Sequence, residues 1–334
     1  MWLSLLPSRV VRRTHLLLVL SVSTIVISLL WRARDLIHDT WTLATLPFIW
    51  GRHADSYYLS LEHDGFDVTF SNYSVHQTSA DPYPNRVPPI LHHISLGTGT
   101  TTHLRWAEAR QSCLDMHPGW EAFMWTEEAA DSLVAANFPE LYDMWKSYPY
   151  PIQKIDALRY MVLYHYGGVI LDMDLECKRG LGPLRRFEFV APAAHPTGFS
   201  IGFMMASRNN AYIGELVNNL KRYNRRWLGL PYPTVMFSTG CHYASTIHSL
   251  HSNREDLKIL AGTRENPKMN SLNGNVSTPL FNHLGSSSWH SYDAAMIVNL
   301  GKGIGSNVSL FGVAAVCVVF MAIRRTKRRW AASK

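Results

Sequence analysis

The chain has 334 residues, enough for one domain of ordinary size with flanking segments. Its net charge of +7 is concentrated at the two ends. Residues 1–34 carry five Lys and Arg, residues 324–334 carry six, and the remainder holds 21 basic against 25 acidic residues. This distribution excludes a basic nucleic-acid-binding face as the origin of the charge.

The first apolar run, residues 14–31, lacks Asp, Glu, Lys and Arg and is long enough for a transmembrane helix. A cleaved signal peptide is the alternative, but Trp31 and Arg32 stand where small residues would be needed for cleavage. We therefore predict a transmembrane helix over 14–31. The arginines before it make residues 1–13 a cytosolic tail.

A second apolar run, residues 308–323, is followed by the basic tail 324–334. Its length also permits a buried core helix, but the basic cluster favours a second membrane span. Both termini would then be cytosolic, and the residues between the spans would lie in the lumen of the Golgi or endoplasmic reticulum. Glycosylation sequons at Asn72 and Asn275 agree with that side of the membrane.

Residues 32–85 are predicted to form a luminal stem between the first span and the domain. Within it, the apolar stretch 43–50 either lies on the membrane surface or packs on the domain. Prolines at 82–89 mark the entry into the domain, which we place at 86–300. Three of the four cysteines fall in this luminal part, where one disulfide is expected, but the sequence leaves its connectivity open.

Strand and helix patterns alternate from residue 90 onward. Predicted strands cover 90–95, 121–125, 169–171, 189–191 and 202–206, and a strand-like run at 235–240 precedes a helix that begins at Cys241. Predicted helices cover 102–116, 127–137, 139–147, 152–166 and 211–223. The alternation predicts an α/β fold, a mixed and mostly parallel sheet covered by helices.

The segment 156–174 carries the strongest functional signal. Asp156 and Arg159 lie one turn apart on a helix that ends at a glycine pair. A buried strand then delivers Asp172 and Asp174 to its carboxyl end, where α/β sheets bind ligands. Two carboxylates there repel each other unless a cation or substrate hydroxyls engage them. Hard oxygen ligands favour Mg²⁺ or Mn²⁺ shared with phosphates, so the pattern predicts binding of a nucleoside diphosphate sugar.

This order of D-x-x-R, glycine pair and D-x-D resembles the core signature of the DXD-containing glycosyltransferases of family 32. Stretches at 151–153, 232–240 and 287–290 narrow the resemblance to the branch that mannosylates inositol phosphorylceramide. The resemblance implies a GT-A-like glycosyltransferase fold, with a Rossmann-like mixed sheet and transmembrane helices at both ends.

The resemblance also assigns roles to individual residues. Asp174 would coordinate Mn²⁺ or Mg²⁺, and Asp172 would reach the ribose or sugar and the metal through water. Asp156 and Arg159 would contact hydroxyls of the donor sugar. An acidic turn and a helix-surface ion pair are the non-functional alternatives. Three ring side chains complete the set. His290 would be a metal or diphosphate ligand, and His92 and Trp289 would lie near the nucleotide.

The implied activity is metal-dependent, retaining transfer of mannose from GDP-mannose to a membrane lipid, inositol phosphorylceramide above all, with a regulatory membrane subunit as a further partner. The motif offers no covalent nucleophile, which favours front-face displacement. Protein-linked glycans as acceptors, or a non-catalytic membrane-anchored partner, are the alternatives. An aspartate-nucleophile phosphatase is disfavoured because Glu176 stands where those enzymes need Thr or Val. Residues 199–203 lack the polar segment typical of the branch, which leaves the acceptor open.

Overall fold

The computed structural model describes residues 8–96, 104–194, 197–227, 229–285 and 293–294. The strands in these ranges are β1 (Ile90–Ile94), β2 (Glu121–Trp125), β3 (Gly168–Leu171), β4 (Leu175–Cys177), β5 (Phe189–Pro192), β6 (Phe203–Ala206), β7 (Leu257–Leu260), β8 (Val276–Ser277) and β9 (Phe281–His283). The helices are α1 (Ser8–Ile49), α2 (Ala54–Tyr57), α3 (Leu61–Asp64), α4 (Leu104–Met116), α5 (Glu127–Asn137), α6 (Pro139–Lys146), α7 (Pro151–Tyr166), α8 (Ala211–Tyr223), α9 (Pro231–Ser238) and α10 (Cys241–Leu250).

Six strands form the central sheet in the order β2-β1-β3-β6-β5-β7. β6 runs antiparallel to β3 and to β5, while the other five strands share one direction. This confirms the mixed, mostly parallel sheet. β3 is buried along its whole length, because apolar clusters cover both faces of the sheet. Its carboxyl end therefore leads straight from the core to the D-x-D residues.

A smaller antiparallel sheet, β4-β9-β8, follows the D-x-D residues in the chain. A disulfide joins Cys177 of β4 to Cys113 of α4. This pairing answers the connectivity that the sequence left open. Cys241 has a free thiol.

α1 continues well beyond the predicted span. The segment His15–Ile49 is the one helix among the described residues that is long and apolar enough to cross a membrane. Up to Trp31 its described side chains are exposed, whereas from Asp39 onward one face is buried against the domain. The stretch 43–50 therefore packs on the domain, which decides between the two alternatives.

The predicted luminal stem, 32–85, differs from what the structure shows. The part from Tyr57 onward contributes fully buried side chains to the core, among them Tyr57, Phe66 and Phe70. The sequence suggested a spacer because this part contains only short helices and turns, but its aromatic residues are buried in the two apolar clusters. The predicted span 308–323 and the basic tail 324–334 lie outside the described residues.

Candidate functional site

The turn between α7 and β3 positions the residues of the site. α7 begins at Pro151 and ends at Tyr166, and the two glycines that follow, Gly167 and Gly168, have positive φ, at 68° and 95°. A Cβ at either glycine would lie 2.7 Å from a backbone atom of a neighbouring segment. Only glycine fits both the conformation and the space. The tight reversal brings the end of β3 beside the middle of α7, which carries Arg159.

Three charged side chains form the centre of the site: Asp156, Arg159 and Asp172, which we call the charge triad. Arg159 donates from Nη1 to Asp156 Oδ1 at 2.6 Å and from Nη2 to Asp172 Oδ1. The side chains of Asp156 and Arg159 are 3% and 7% exposed, whereas that of Asp172 is 32% exposed. Arg159 therefore bridges a buried acid to a solvent-accessible one, and the helix-surface ion pair is excluded.

The charge triad holds one cation against two anions in a poorly hydrated place. Burial raises the pKa of Asp156 to about 6, against the opposing effect of the Arg159 charge. Burial also raises the pKa of Asp172, again opposed by Arg159. An excess negative charge in such a place costs free energy until a ligand engages it, and such sites are often functional.

The junction between α9 and α10 supports Asp156 from the other side. Thr239 Oγ1 donates to Asp156 Oδ2 at 3.1 Å, and the Tyr160 hydroxyl donates to the Thr239 carbonyl. The strand-like interpretation of residues 235–240 is therefore wrong. They lie at the end of α9, because Pro231 begins a helix there and the Val235 carbonyl accepts hydrogen bonds from two later residues.

Asp174 lies beside a histidine that the sequence did not single out. His283 on β9 places Nε2 at 3.3 Å from Asp174 Oδ2, with the two side chains 17% and 13% exposed. Burial works against a charge on His283, but the carboxylates of Asp174 and Asp172 outweigh it and raise its pKa. The antiparallel pairing of β9 with β4 brings the two residues together. The available signal was a histidine just upstream of the Ser-Ser-Trp segment.

Asp174 and His283 together offer an oxygen and a nitrogen atom, both of which are ligands for divalent metal ions. No group of three or more His, Cys, Asp or Glu side chains is placed to hold a metal within the ranges that the structure describes. Two protein ligands leave positions for diphosphate oxygens and water, which is usual for an ion shared with a substrate. The residues present therefore fit a metal that binds jointly with the donor.

The loop that carries the D-x-D residues is held at both ends. β3 fixes its start within the sheet, and the Cys113–Cys177 disulfide fixes β4 to α4 just after it. Within the loop, the Leu175 N–H donates to the Asp172 carbonyl at 3.1 Å, and the Leu284 N–H donates to the Asp174 carbonyl at 2.9 Å. The positions of both carboxylates are thereby preorganised.

His92, predicted near the nucleotide, lies in the interior. Its Nε2 donates to the Gly167 carbonyl at 2.9 Å, and Trp125 Nε1 donates to its Nδ1 at 3.3 Å. Burial lowers its pKa to about 4, so the ring is neutral. Both nitrogens are engaged within the fold, and the structure does not bring His92 to the charge triad.

The segment 199–203, which departs from the family pattern, supports Asp172. Phe199 and Phe203 are fully buried and supply core packing in place of polar contacts. The Asp172 N–H donates to the Gly202 carbonyl at 2.8 Å, and a Cβ at Gly202 would lie 2.7 Å from Asp172 Oδ2. The departure thus lets the backbone approach the charge triad closely.

Trp289 and His290 lie outside the described residues, so their predicted roles stay predictions. Asp293, three residues further on, is fully buried and accepts a hydrogen bond from the Tyr232 N–H at 2.8 Å. This bond ties the C-terminal part of the domain to the start of α9.

Comparison with known proteins assigns the chain to a family. A family model described as "Glycosyltransferase sugar-binding region containing DXD motif" matches residues 104–190. Inositol phosphoceramide mannosyltransferase 1 of Schizosaccharomyces pombe is 31% identical over 80% of this chain and 84% of its own length. Two proteins of Saccharomyces cerevisiae, Mannosyl phosphorylinositol ceramide synthase CSH1 and SUR1, are 32% and 36% identical over 67% and 50% of this chain and 58% and 43% of their own lengths. The chain belongs to the glycosyltransferases with a DXD-containing sugar-binding region.

Proposed function

We propose that this protein transfers mannose from GDP-mannose to the headgroup of inositol phosphoceramide, with Mn²⁺ or Mg²⁺ bound and with retention of configuration. The charge triad beside the Asp174–His283 pair carries the proposal, because it joins a directed donor, two acceptor acids and a pair of metal-type ligands. The names of the relatives supply the identity of the acceptor and the mannosyl group.

Sugar hydroxyls would bind at the charge triad. Arg159 already satisfies one oxygen of each neighbouring acid, so the second oxygen of Asp172 is available for a donor hydroxyl. The planar guanidinium also holds both acids in fixed orientation. The donor sugar is thereby oriented before the acceptor attacks.

Asp174 and His283 would hold the metal ion, with Asp172 acting through water. When bound, the ion offsets the negative charge that develops on the diphosphate as the sugar departs. Asp172 remains tied to Arg159 and keeps the donor in place during this step. The predicted His290 is retained as a further candidate ligand.

Retention by front-face displacement agrees with the groups around the charge triad. Both carboxylates are engaged by Arg159, and burial raises the pKa of the neighbouring Cys241 thiol to about 11. A protonated, buried thiol is a poor nucleophile. Neither the Arg159-bound carboxylates nor the Cys241 thiol is therefore a strong nucleophile for a covalent sugar intermediate.

We also propose a GT-A-type fold held on the luminal side of a Golgi or endoplasmic reticulum membrane by α1 and the predicted second span. The Cys113–Cys177 disulfide suits an oxidising compartment, and the sequon residues Asn72 and Asn275 are exposed. A regulatory membrane subunit stays a prediction.

Full-length protein in detergent tests the proposal. Labelled GDP-mannose, UDP-glucose and UDP-galactose are each offered with Mn²⁺ and with either inositol phosphoceramide or a mannosylated glycopeptide. We expect label on the lipid from GDP-mannose alone, loss of transfer with EDTA, and recovery with added Mn²⁺. Transfer only to the glycopeptide would favour protein-linked glycans, and no transfer from any donor would favour a non-catalytic partner.

A further inference from the structure

α1 joins the membrane-spanning part of the chain to the domain without a flexible linker. The apolar run without charged residues ends at Trp31, and burial against the domain begins at Asp39, while Leu36, Ile37 and Trp41 are exposed on α1. The seven residues between Trp31 and Asp39, 32–38, are helical throughout. They account for only about 10 Å of helix.

The docked part of α1 is tied to the domain at several points along its length. Asp39 is fully buried and accepts from Arg222 Nε at 2.8 Å and from Arg225 Nη2 at 3.3 Å; we call these three residues the anchor triad. His242 donates to the Leu43 carbonyl at 2.7 Å. Further along, the Trp50 carbonyl accepts a hydrogen bond from Arg254 Nη2 at 3.3 Å, and Trp50 is 5% exposed. These ties run over three turns and prevent α1 from swinging against the domain.

α10 shows which end of the domain faces the membrane. It runs alongside α1 in the same direction, since His242 near its start meets Leu43 and His248 near its end packs on Trp50 with ring centroids 5.0 Å apart. The residues just before its start also reach the charge triad, through the hydrogen bond from Thr239 to Asp156. The charge triad thus lies beside the start of α10, which is the end of that helix nearer to the membrane.

The height of the site above the bilayer follows from helix geometry. Leu43, level with the start of α10, is about 18 Å along the helix from Trp31. The headgroup layer of a bilayer is roughly 5–7 Å thick on each side. With Trp31 at the edge of the hydrocarbon core, an upright α1 therefore holds the charge triad roughly 11–13 Å above the headgroups. A lipid headgroup that carries a sugar ring extends into this gap.

We propose that α1 is a rigid spacer that fixes the height of the active site, and that this height restricts acceptors to headgroups of lipids in the same membrane. The inference rests on the proposed function. It adds that acceptor choice depends on the length and stiffness of α1 as well as on contacts within the site.

Two insertions of equal length between Arg34 and Asp35 test the spacer. Eleven Ala, Glu and Lys residues extend the helix by three turns and lift the site by about 16 Å. Eleven Gly and Ser residues add a flexible segment without fixed length. Full-length wild type and both variants are compared on inositol phosphoceramide in their own proteoliposomes, and on a short-chain, water-soluble form of that acceptor in detergent.

We expect the helical insertion to lower turnover in proteoliposomes by about tenfold or more, because the site no longer reaches the headgroups. The flexible insertion should lose less, and all three proteins should use the soluble acceptor equally. Equal turnover of wild type and helical variant in proteoliposomes would overturn the spacer, and so would equal losses in both variants. Absence of wild-type transfer to the soluble acceptor would instead contradict the proposed function.

A second measurement needs no variant. Wild-type proteoliposomes without acceptor are mixed with separate vesicles that contain inositol phosphoceramide. We expect no transfer between vesicles, while acceptor in the same membrane is converted. Comparable rates in the two arrangements would overturn the restriction to the same membrane.

Discussion

The charge triad and the anchor triad are mirror arrangements of three charges. The charge triad places one arginine between two acids, and the anchor triad places one acid between two arginines. In the anchor triad, the excess charge is on arginine side chains that are 40% and 33% exposed, where water solvates it. In the charge triad, the excess is on acids whose pKa values are raised by burial.

This difference distinguishes a contact that only stabilises the fold from a site that binds a ligand. Solvent satisfies the excess charge of the anchor triad, so no ligand is needed and the contact simply holds α1. The excess of the charge triad is only partly hydrated and favours a polar or cationic ligand. Similar local chemistry thus serves different purposes according to where the unbalanced charge lies.

The largest expected effect is at Asp174, whose carboxylate would hold the metal beside the charge triad. Asp174→Asn keeps the volume but removes the charge. Loss of metal charge at the departing diphosphate should lower turnover on the order of 10³-fold, with the melting temperature little changed. The measurement is GDP-mannose turnover by the full-length protein.

Glu176→Gln is the matched control for this change. Glu176 follows Asp174 by two residues but accepts from Asn282 Nδ2 at 2.9 Å and is outside the triad. The activity of the Glu176→Gln variant should remain near that of the wild type. Near-normal turnover in Asp174→Asn would show that the D-x-D acids do not bind a metal.

His283 provides the next largest effect and extends the site beyond the predicted motif. His283→Asn should raise the Mn²⁺ concentration needed for half-maximal turnover by about tenfold or more, because a nitrogen ligand is lost. His251→Asn is the control, since His251 also pairs with an acid at 3.0 Å, but that acid, Glu215, belongs to α8 and not to the D-x-D loop. Equal Mn²⁺ requirements in wild type and His283→Asn would assign His283 a packing role.

Arg159→Lys tests whether the charge triad needs the two donor groups of a guanidinium or only a positive charge. A single ammonium group cannot bridge both acids as the guanidinium does, so one acid is left unpaired, at a cost of about 1–3 kcal/mol. We expect turnover to fall by about tenfold and the KM for the donor to rise. Arg86→Lys changes a surface ion pair with Glu188 at 2.5 Å. It should alter neither the turnover nor the KM for the donor. Wild-type kinetics in Arg159→Lys would contradict donor binding by the charge triad.

The smallest effect on chemistry is expected in the anchor triad. Asp39→Asn leaves two arginines that water can reach, so the free energy of unfolding should fall by about 1–2 kcal/mol. Turnover on a soluble acceptor should be unchanged. Asp131→Asn, which breaks a more exposed pair with Lys146, should cost about 0.5 kcal/mol or less. A large loss of soluble-acceptor turnover in Asp39→Asn would remove the distinction between the two triads.

Periodicity and turn signals predicted the parts of the fold in which local sequence determines local structure. The strand 121–125 and the helices 127–137 and 211–223 agree with the structure at both ends. The strands β4, β7, β8 and β9 are absent from the prediction. β4, β8 and β9 have only two or three residues, which carry no periodic signal, and they form by pairing with one another. β7 has four residues and forms by pairing with β5 at the edge of the central sheet.

In the candidate site, too, local sequence predicts one part, and contacts between distant segments determine the other. The positions of Asp156, Arg159 and Asp172 on one helix and one strand end followed from spacing in the chain. The contact between Asp174 and His283 did not, because 109 residues separate them and only the pairing of β9 with β4 brings them together. His92 was misplaced because a strand residue near the site can face the core, where its nitrogens find partners.

Gly202 has a consequence for how this sequence can vary. It contributes no atom to the chemistry, yet any other side chain at this position would bring its Cβ within 2.7 Å of an oxygen of Asp172. Such a substitution must displace the carboxylate or the backbone that supports it. In a selection that scores every amino acid at every position, Gly202 should therefore be as intolerant as the acids of the motif. Intolerance to mutation would mark this glycine as part of the active site, although no substrate touches its missing side chain.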